Sequence, residues 1–205
     1  MKFPRLLRLA LFLLPLAGTL LLAGCHRDTL PFKLTDIGGH MPDLQFQLTD
    51  DDGRPASAAD FRGKVVLLYF GYTHCPDVCP LTLAHLHAAL QKLGKPADDV
   101  RILFVSVDPA RDTPAVLHAY VNAFDKHHGI VGLTGSASAI EALSKRYRSG
   151  FTREPAGNGG NYEVTHSSAI YVFDREGRAR VLDANAPQDD LVHDLGLLLA
   201  DGASP

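Results

Sequence analysis

Stretches that are apolar at nearly every position alternate along this chain with stretches that are apolar every third or fourth position. The runs at 65–70, 101–107 and 169–173 read as strands covered on both faces, the pattern of a parallel or mixed central sheet. Shorter alternation at 44–48, followed by Asp51-Asp52-Gly53, reads as an edge strand and a turn. Positions 130–133 make another short strand, and 180–182 return antiparallel to 169–173 across a turn at 174–177. Helical spacing follows Pro80, where Leu81, Leu83, Leu86, Ala89, Leu90 and Leu93 form a stripe that ends at Gly94 and Pro96. Proline loses no bond at the first helical position, so the helix is predicted to begin there with Cys79 as its cap. Thr113-Pro114 starts the next helix, with Leu117, Tyr120, Val121 and Phe124 on its buried side. Ser138-Ala139-Ile140-Glu141 has the capping-box pattern of a third. Pro187, Asp189 and Asp190 open a last one, which carries Leu191, Leu195 and Leu198 to about position 200. Between 150 and 162 periodicity is lost while Pro155, Gly157, Gly159 and Gly160 accumulate, which predicts a flexible loop.

This order of elements, closing on a hairpin and a helix, is the thioredoxin-type α/β arrangement. It implies a central mixed sheet flanked by helices, with extra N-terminal strands. Ligands of such sheets sit beyond the carboxyl ends of the strands, and the loop at 71–79 follows one directly.

The N-terminus is built differently. Lys2, Arg5 and Arg8 precede an apolar stretch at 9–22, and Ala23 and Gly24 precede Cys25, the layout of an export signal. A spanning helix is disfavoured because it would have to tolerate Arg8, Pro15 and Gly18. Leu22-Ala23-Gly24-Cys25 resembles the bacterial lipobox, whose cysteine becomes the lipidated first residue and holds the mature chain at a membrane. The chain therefore divides into a lipoprotein-type signal peptide (1–24), a tether (25–42) marked by Pro31, Gly38, Gly39 and Pro42, and a thioredoxin-like domain (43–205). Cleavage leaves about 180 of the 205 residues, the size of one domain with a tether. A formal net charge of -3, with both signs interleaved, offers no basic patch for a phosphate backbone, so nucleic acid is not an expected partner.

With Cys25 lipidated, Cys75 and Cys79 are the remaining thiols of a protein bound for an oxidising compartment. A structural disulfide closing so short a loop adds little to a domain of this size. The pair is thus either a metal clamp or a redox couple. Residues four apart on a helix have Cβ atoms about 5–6 Å apart, whereas a disulfide needs about 3.5–4.5 Å. A shared metal spans that gap more easily, although Pro76 and Pro80 interrupt regular helix and keep the disulfide open. The helix start is expected to lower the pKa of Cys79, and soft thiolates select copper or zinc over hard cations.

Three segments carry a family resemblance: Gly71-Tyr72-Thr73-His74-Cys75-Pro76-Asp77-Val78-Cys79-Pro80, Val107-Asp108-Pro109-Ala110-Arg111-Asp112-Thr113-Pro114, and Val164-Thr165-His166-Ser167. Together they make the chain similar to the Sco (SenC) family of copper-binding, thioredoxin-like proteins that serve cytochrome c oxidase assembly. The resemblance implies that Cys75, Cys79 and His166 bind copper, with Cu(I) preferred and Cu(II) possible. Two thiolates and one imidazole suit Cu(I), whereas closed zinc sites want four ligands. Thr165 departs from the pattern, since many members have Asp before the histidine. The implied function is that of an exported, lipid-anchored copper chaperone. It would work on the periplasmic face of a bacterial membrane, inner or outer, exchange copper with other periplasmic carriers and deliver it to the copper-bearing subunit of cytochrome c oxidase. A thiol:disulfide oxidoreductase that reduces the cysteines of the oxidase copper site is the alternative from the enzyme class. A peroxidase is a third, and the Pro, Thr and Cys pattern around its nucleophile is missing. Asp108, closing a strand on the edge that carries the cysteines, either supports a ligand or lends Cu(II) an oxygen, or simply forms a turn with Pro109. Arg111 and Asp112 are expected to pair and cap the following helix. His74 is assigned to loop structure, and His85, His87, His118, His127, His128 and His193 to solvated or capping roles.

Overall fold

Pairing of the apolar runs builds an eight-stranded mixed sheet in the computed structural model, which describes residues 30–125, 129–155 and 162–201. Its strands are β1 (Thr35–Asp36), β2 (Gln47–Asp50), β3 (Pro55–Ser57), β4 (Val65–Gly71), β5 (Val100–Ser106), β6 (Ile130–Thr134), β9 (Ile170–Phe173) and β10 (Ala179–Asp183). A separate hairpin pairs β7 (Phe151–Pro155) with β8 (Tyr162–His166). Four helices complete the fold: α1 (Val78–Leu93), α2 (Pro114–Asn122), α3 (Ala137–Arg146) and α4 (Gln188–Asp201). The sheet runs β1-β10-β9-β4-β5-β6-β2-β3. Strands β4, β5 and β6 are parallel, and β9 returns antiparallel along β4. The β4–α1–β5 unit and the β9–β10–α4 unit meet at β4 and β9, which is the thioredoxin-like core expected from the alternation of elements.

Strand β4 is buried at all seven positions, as its unbroken apolar run requires of a strand covered on both faces. Helix α1 packs on α4, α4 reaches β4, and α2 covers β6. Tyr69, Phe70, Phe104, Tyr147 and Phe173 are the largest fully buried side chains. The turn at 51–53 holds as predicted: Gly53 takes φ +80, a left-handed conformation that glycine adopts without penalty, and the Arg54 amide donates to Asp50 Oδ1 at 2.7 Å.

Four expectations change. Residues assigned to the tether belong partly to the folded body: Leu34 and Ile37 are buried, β1 pairs with β10, and the buried Asp194 carboxylate accepts the Lys33 and Leu34 amides at 2.9–3.1 Å. That body begins at Phe32 rather than at 43. Helix α3 is capped by Ser136, which accepts from the Ala139 amide, and not by Ser138. Within the segment 150–162, taken as a loop for its lack of period, residues 151–155 and 162 belong to the β7–β8 hairpin, a two-stranded ribbon that buries too little to impose alternation. Helix α1 begins two residues before Pro80. Asp77 takes the cap position, and Pro80 falls at the third helical residue, where no intrahelical donor is needed either. Gly157, Gly159, Gly160, His127, His128, the leader and Cys25 lie outside the described residues. Among the described residues, no helix is long and apolar enough to cross a membrane.

Candidate metal centre

Strand β4 ends at Gly71, so the chain leaves the sheet and enters α1 through Tyr72 to Asp77 with little slack. The Cys75 amide donates to the Tyr72 carbonyl at 3.3 Å, and the Cys79 amide approaches Cys75 Sγ at 3.4 Å. Cys79, Leu83, Leu86 and Leu90 form the buried stripe of α1, and Leu81 is exposed instead. The spacing of 4, 3 and 4 continues the apolar face one turn towards the N-terminus and places the Cys79 sulfur inside the protein. Cys75 stays partly accessible, and both thiols are free.

The remaining donor arrives from β8. His166 closes that strand opposite Phe151, and its ring lies edge-on to Tyr72 at 5.8 Å and to Tyr69 at 6.1 Å between centroids. Its Nδ1 lies 3.0 Å from the Ser167 carbonyl, which can only accept, so Nδ1 carries the proton and the Nε2 lone pair is turned towards Cys79. That Nε2 stands 3.2 Å from Cys79 Sγ. The donor atoms of Cys75, Cys79 and His166 all lie within 4.8 Å of one another, the sole such cluster of three among the described residues. Two sulfurs and one imidazole so placed fit a soft, low-coordinate cation such as Cu(I).

Burial sets the protonation of the metal-free site. It pushes the Cys79 thiol up to about 12, against a smaller opposing pull from the Tyr69 hydroxyl, which donates to the sulfur at 3.6 Å. The sequence-based expectation of a lowered Cys79 pKa is therefore overturned: desolvation of the thiolate outweighs the helix N-terminus. Burial also lowers the His166 pKa, which keeps the ring neutral and ready to donate its lone pair.

Asp108 is fully buried, yet it is not one of the clustered donors. One of its oxygens accepts from the Tyr162 hydroxyl and the other from Arg111 Nε, while its carbonyl accepts the Arg111 and Asp112 amides at 3.1 and 3.0 Å. It thus forms the expected turn and also ties the end of β5 to the first residue of β8. The Arg111 guanidinium stacks on Tyr162, 3.9 Å from the ring centroid. Arg111 pairs with Asp108 and not with Asp112, and the cap of α2 is Thr113 alone. His74 is exposed, 3.1 Å from the Thr73 hydroxyl, in keeping with a loop role.

Two contributors escaped the sequence reading. Tyr69 looked like one more apolar position of a covered strand. Gly71 left a faint signal, since a glycine ending such a strand often marks a close approach: a Cβ there would lie 2.5 Å from Phe104 and 2.8 Å from Cys79 Sγ.

The SCO1/SenC family model matches residues 37–200, which takes in every strand after β1, the four helices apart from the last residue of α4, and the three clustered donors. The chain belongs to the SCO1/SenC family. Within that family it is 45% identical over 136 residues to the mitochondrial SCO2 homolog of Bos taurus, covering 64% of this chain and 50% of that protein. The chain thus spans about half the length of this curated relative. Bradyrhizobium japonicum ScoI, solved with copper bound, superposes with a TM-score of 0.69 at 38% identity, over 76% of this chain and 98% of ScoI. BsSco, a member of the Sco family of cytochrome c oxidase assembly proteins in which a disulfide switch was identified, superposes with a TM-score of 0.62 at 28% identity, over 78% and 97% of the two chains.

Proposed function

We propose that this chain is an exported copper chaperone that carries Cu(I) on Cys75, Cys79 and His166 and hands it to the copper-bearing subunit of cytochrome c oxidase. The observation that carries the reading is the convergence of two sulfurs and an imidazole nitrogen within 4.8 Å of one another. The copper-bound family neighbour supports the choice of metal, and the oxidase-assembly role of BsSco supports the choice of recipient. The leader and the lipobox-like Leu22-Ala23-Gly24-Cys25 support lipid anchoring at Cys25 on the periplasmic face of a bacterial membrane.

The three donors differ in access, and that orders the transfer. Cys79 is sealed in the core, whereas Cys75 is partly open beside Pro76, Asp77 and Val78, all exposed. An incoming thiolate from the acceptor takes the place of Cys75 at the copper, and Cys75 takes up the proton that the acceptor thiol gave up. Cys79 and His166 hold the metal until a second exchange completes the step. When the copper-loaded chain is mixed with the metal-free soluble domain of the oxidase subunit, copper is expected to appear on the acceptor without release to a chelator in solution. Mass spectrometry of both proteins checks this, and an acceptor that stays metal-free would count against the chaperone reading.

The dithiol reading rests on the same pair, both members of which are free. A simple dithiol reductase has no use for an imidazole aimed at Cys79, and that difference separates the two functions experimentally.

A further inference from the structure

Asp112 is a fully buried carboxylate with a role that helix capping does not explain, because Thr113 supplies the cap of α2. One of its oxygens accepts from the Thr73 hydroxyl at 2.6 Å. The other accepts from the Thr73 amide at 3.0 Å and from the Ser106 hydroxyl at 2.6 Å. The exposed His74 ring stands 3.8 Å away, and the neighbouring Arg111 is engaged by Asp108. All three hydrogen-bonding partners are donors, each matched to a carboxylate oxygen that accepts.

Thr73 lies two residues before Cys75, in the tight link between β4 and α1. Ser106 ends β5, and its hydroxyl oxygen also accepts the Asp108 amide at 3.0 Å. Asp108 in turn receives the Tyr162 hydroxyl at the start of β8, the strand that ends at His166. A continuous run of buried and half-buried hydrogen bonds therefore joins the two elements that carry the metal donors: Thr73, Asp112, Ser106, Asp108, Tyr162. We infer that Asp112 is a positioning residue for the copper site, the anchor that fixes the Cys75 loop against the end of β5 and, through Ser106 and Asp108, against the His166 strand. The inference rests on the copper-carrier reading of Cys75, Cys79 and His166. Groups that orient metal ligands from behind change affinity by about 10–100-fold when removed, and Asp112 acts one step further back, through the loop backbone.

Asp112→Asn is the sharpest variant, since it keeps the size of the side chain but sets its NH2 group against one of three donors. Thr73→Val removes the hydroxyl bond from the loop side with no change at Asp112, and it serves if the buried substitution prevents folding. Both are compared with the wild type in the full exported chain. Hydrogen exchange of the Thr73 amide is read in metal-free protein, Cu(I) affinity by competition with a chromogenic chelator, and the thiolate-to-Cu(II) charge-transfer band in copper-loaded protein. Asp112→Asn is expected to lose protection at Thr73, bind Cu(I) about tenfold more weakly and shift the charge-transfer band. Thr73→Val should move all three in the same direction, and the double variant should add little to either single one, as expected for residues sharing one interaction. A merely structural role would lower the melting temperature of the metal-free protein and leave the band unmoved. Lost Thr73 protection with wild-type affinity and spectrum would overturn the positioning role. A wild type that binds no copper would overturn the carrier reading instead, and the exchange data would still show whether Asp112 holds the loop.

Discussion

Cu(I) affinity is expected to fall by more than about a hundredfold in His166→Ala, because the loss of groups that only orient a ligand already costs about 10–100-fold and this change removes a ligand outright. The imidazole presents its Nε2 lone pair 3.2 Å from Cys79 Sγ and is held in that tautomer by the Ser167 carbonyl. His166 ends a strand paired with Phe151 and sits beside two tyrosine rings, so truncation leaves no other described donor within the cluster to replace it. The two thiols are untouched, and exchange with a small-molecule disulfide should proceed at close to the wild-type rate. Competition with a Cu(I) chelator and a disulfide-exchange assay on the same preparation read the two effects separately. Equal loss of both would mean that the histidine serves the thiols, and unchanged copper affinity would remove it from the ligand set.

The second large effect is expected at Gly71→Ala, where a single methyl group strikes the site from behind. The added Cβ would fall 2.5 Å from Phe104 Cε2, 3.1 Å from Phe104 Cζ and 2.8 Å from Cys79 Sγ. Phe104 has little room to yield, being buried between Tyr69 and Tyr120 at centroid distances of 6.0 and 5.5 Å. The cysteine sulfur and the start of α1 must move instead. Overpacking of this kind costs about 1–3 kcal/mol, which for a domain of this size lowers the melting temperature by about 2–4 °C per kcal/mol. Displacement of Cys79 from Nε2 of His166 should weaken Cu(I) binding as well. Calorimetry with and without copper tests both consequences. The stabilisation that copper confers on the wild type should shrink in the variant, and an unchanged gain on loading would show that the sulfur has not moved.

What the chain discloses without coordinates follows from where its patterns are strong. Unbroken apolar runs placed β4, β5 and β9 in a covered sheet, and apolar stripes placed α1, α2 and α4, because burial of a whole face leaves a periodic mark, whereas α3 was marked by a capping pattern alone. The candidate site was legible for a different reason: the cysteine spacing and the histidine sit inside segments resembling those of a known family, which periodicity alone would not have joined. The failures also have physical causes. Cys79 was read as a cap because Pro80 suits a first helical position, yet a proline is equally tolerated two positions later, and the helix takes the earlier start. Its thiol pKa was misjudged in consequence, since a residue on the buried stripe suffers desolvation that a cap at the surface escapes. The β7–β8 hairpin left no pattern because a two-stranded ribbon has no second layer to cover one face. Asp112 was paired with its neighbour Arg111, a natural assumption in sequence, whereas its actual partners lie 6 and 39 residues away along the chain.

The account stands or falls on the identity of the three donors. X-ray absorption at the copper edge of the reduced, Cu(I)-loaded chain should show one copper per chain with two sulfur neighbours and one nitrogen, falling to one sulfur in Cys75→Ser and to no nitrogen in His166→Ala. The same set of neighbouring atoms in wild type and both variants would place the copper elsewhere and contradict the proposed centre.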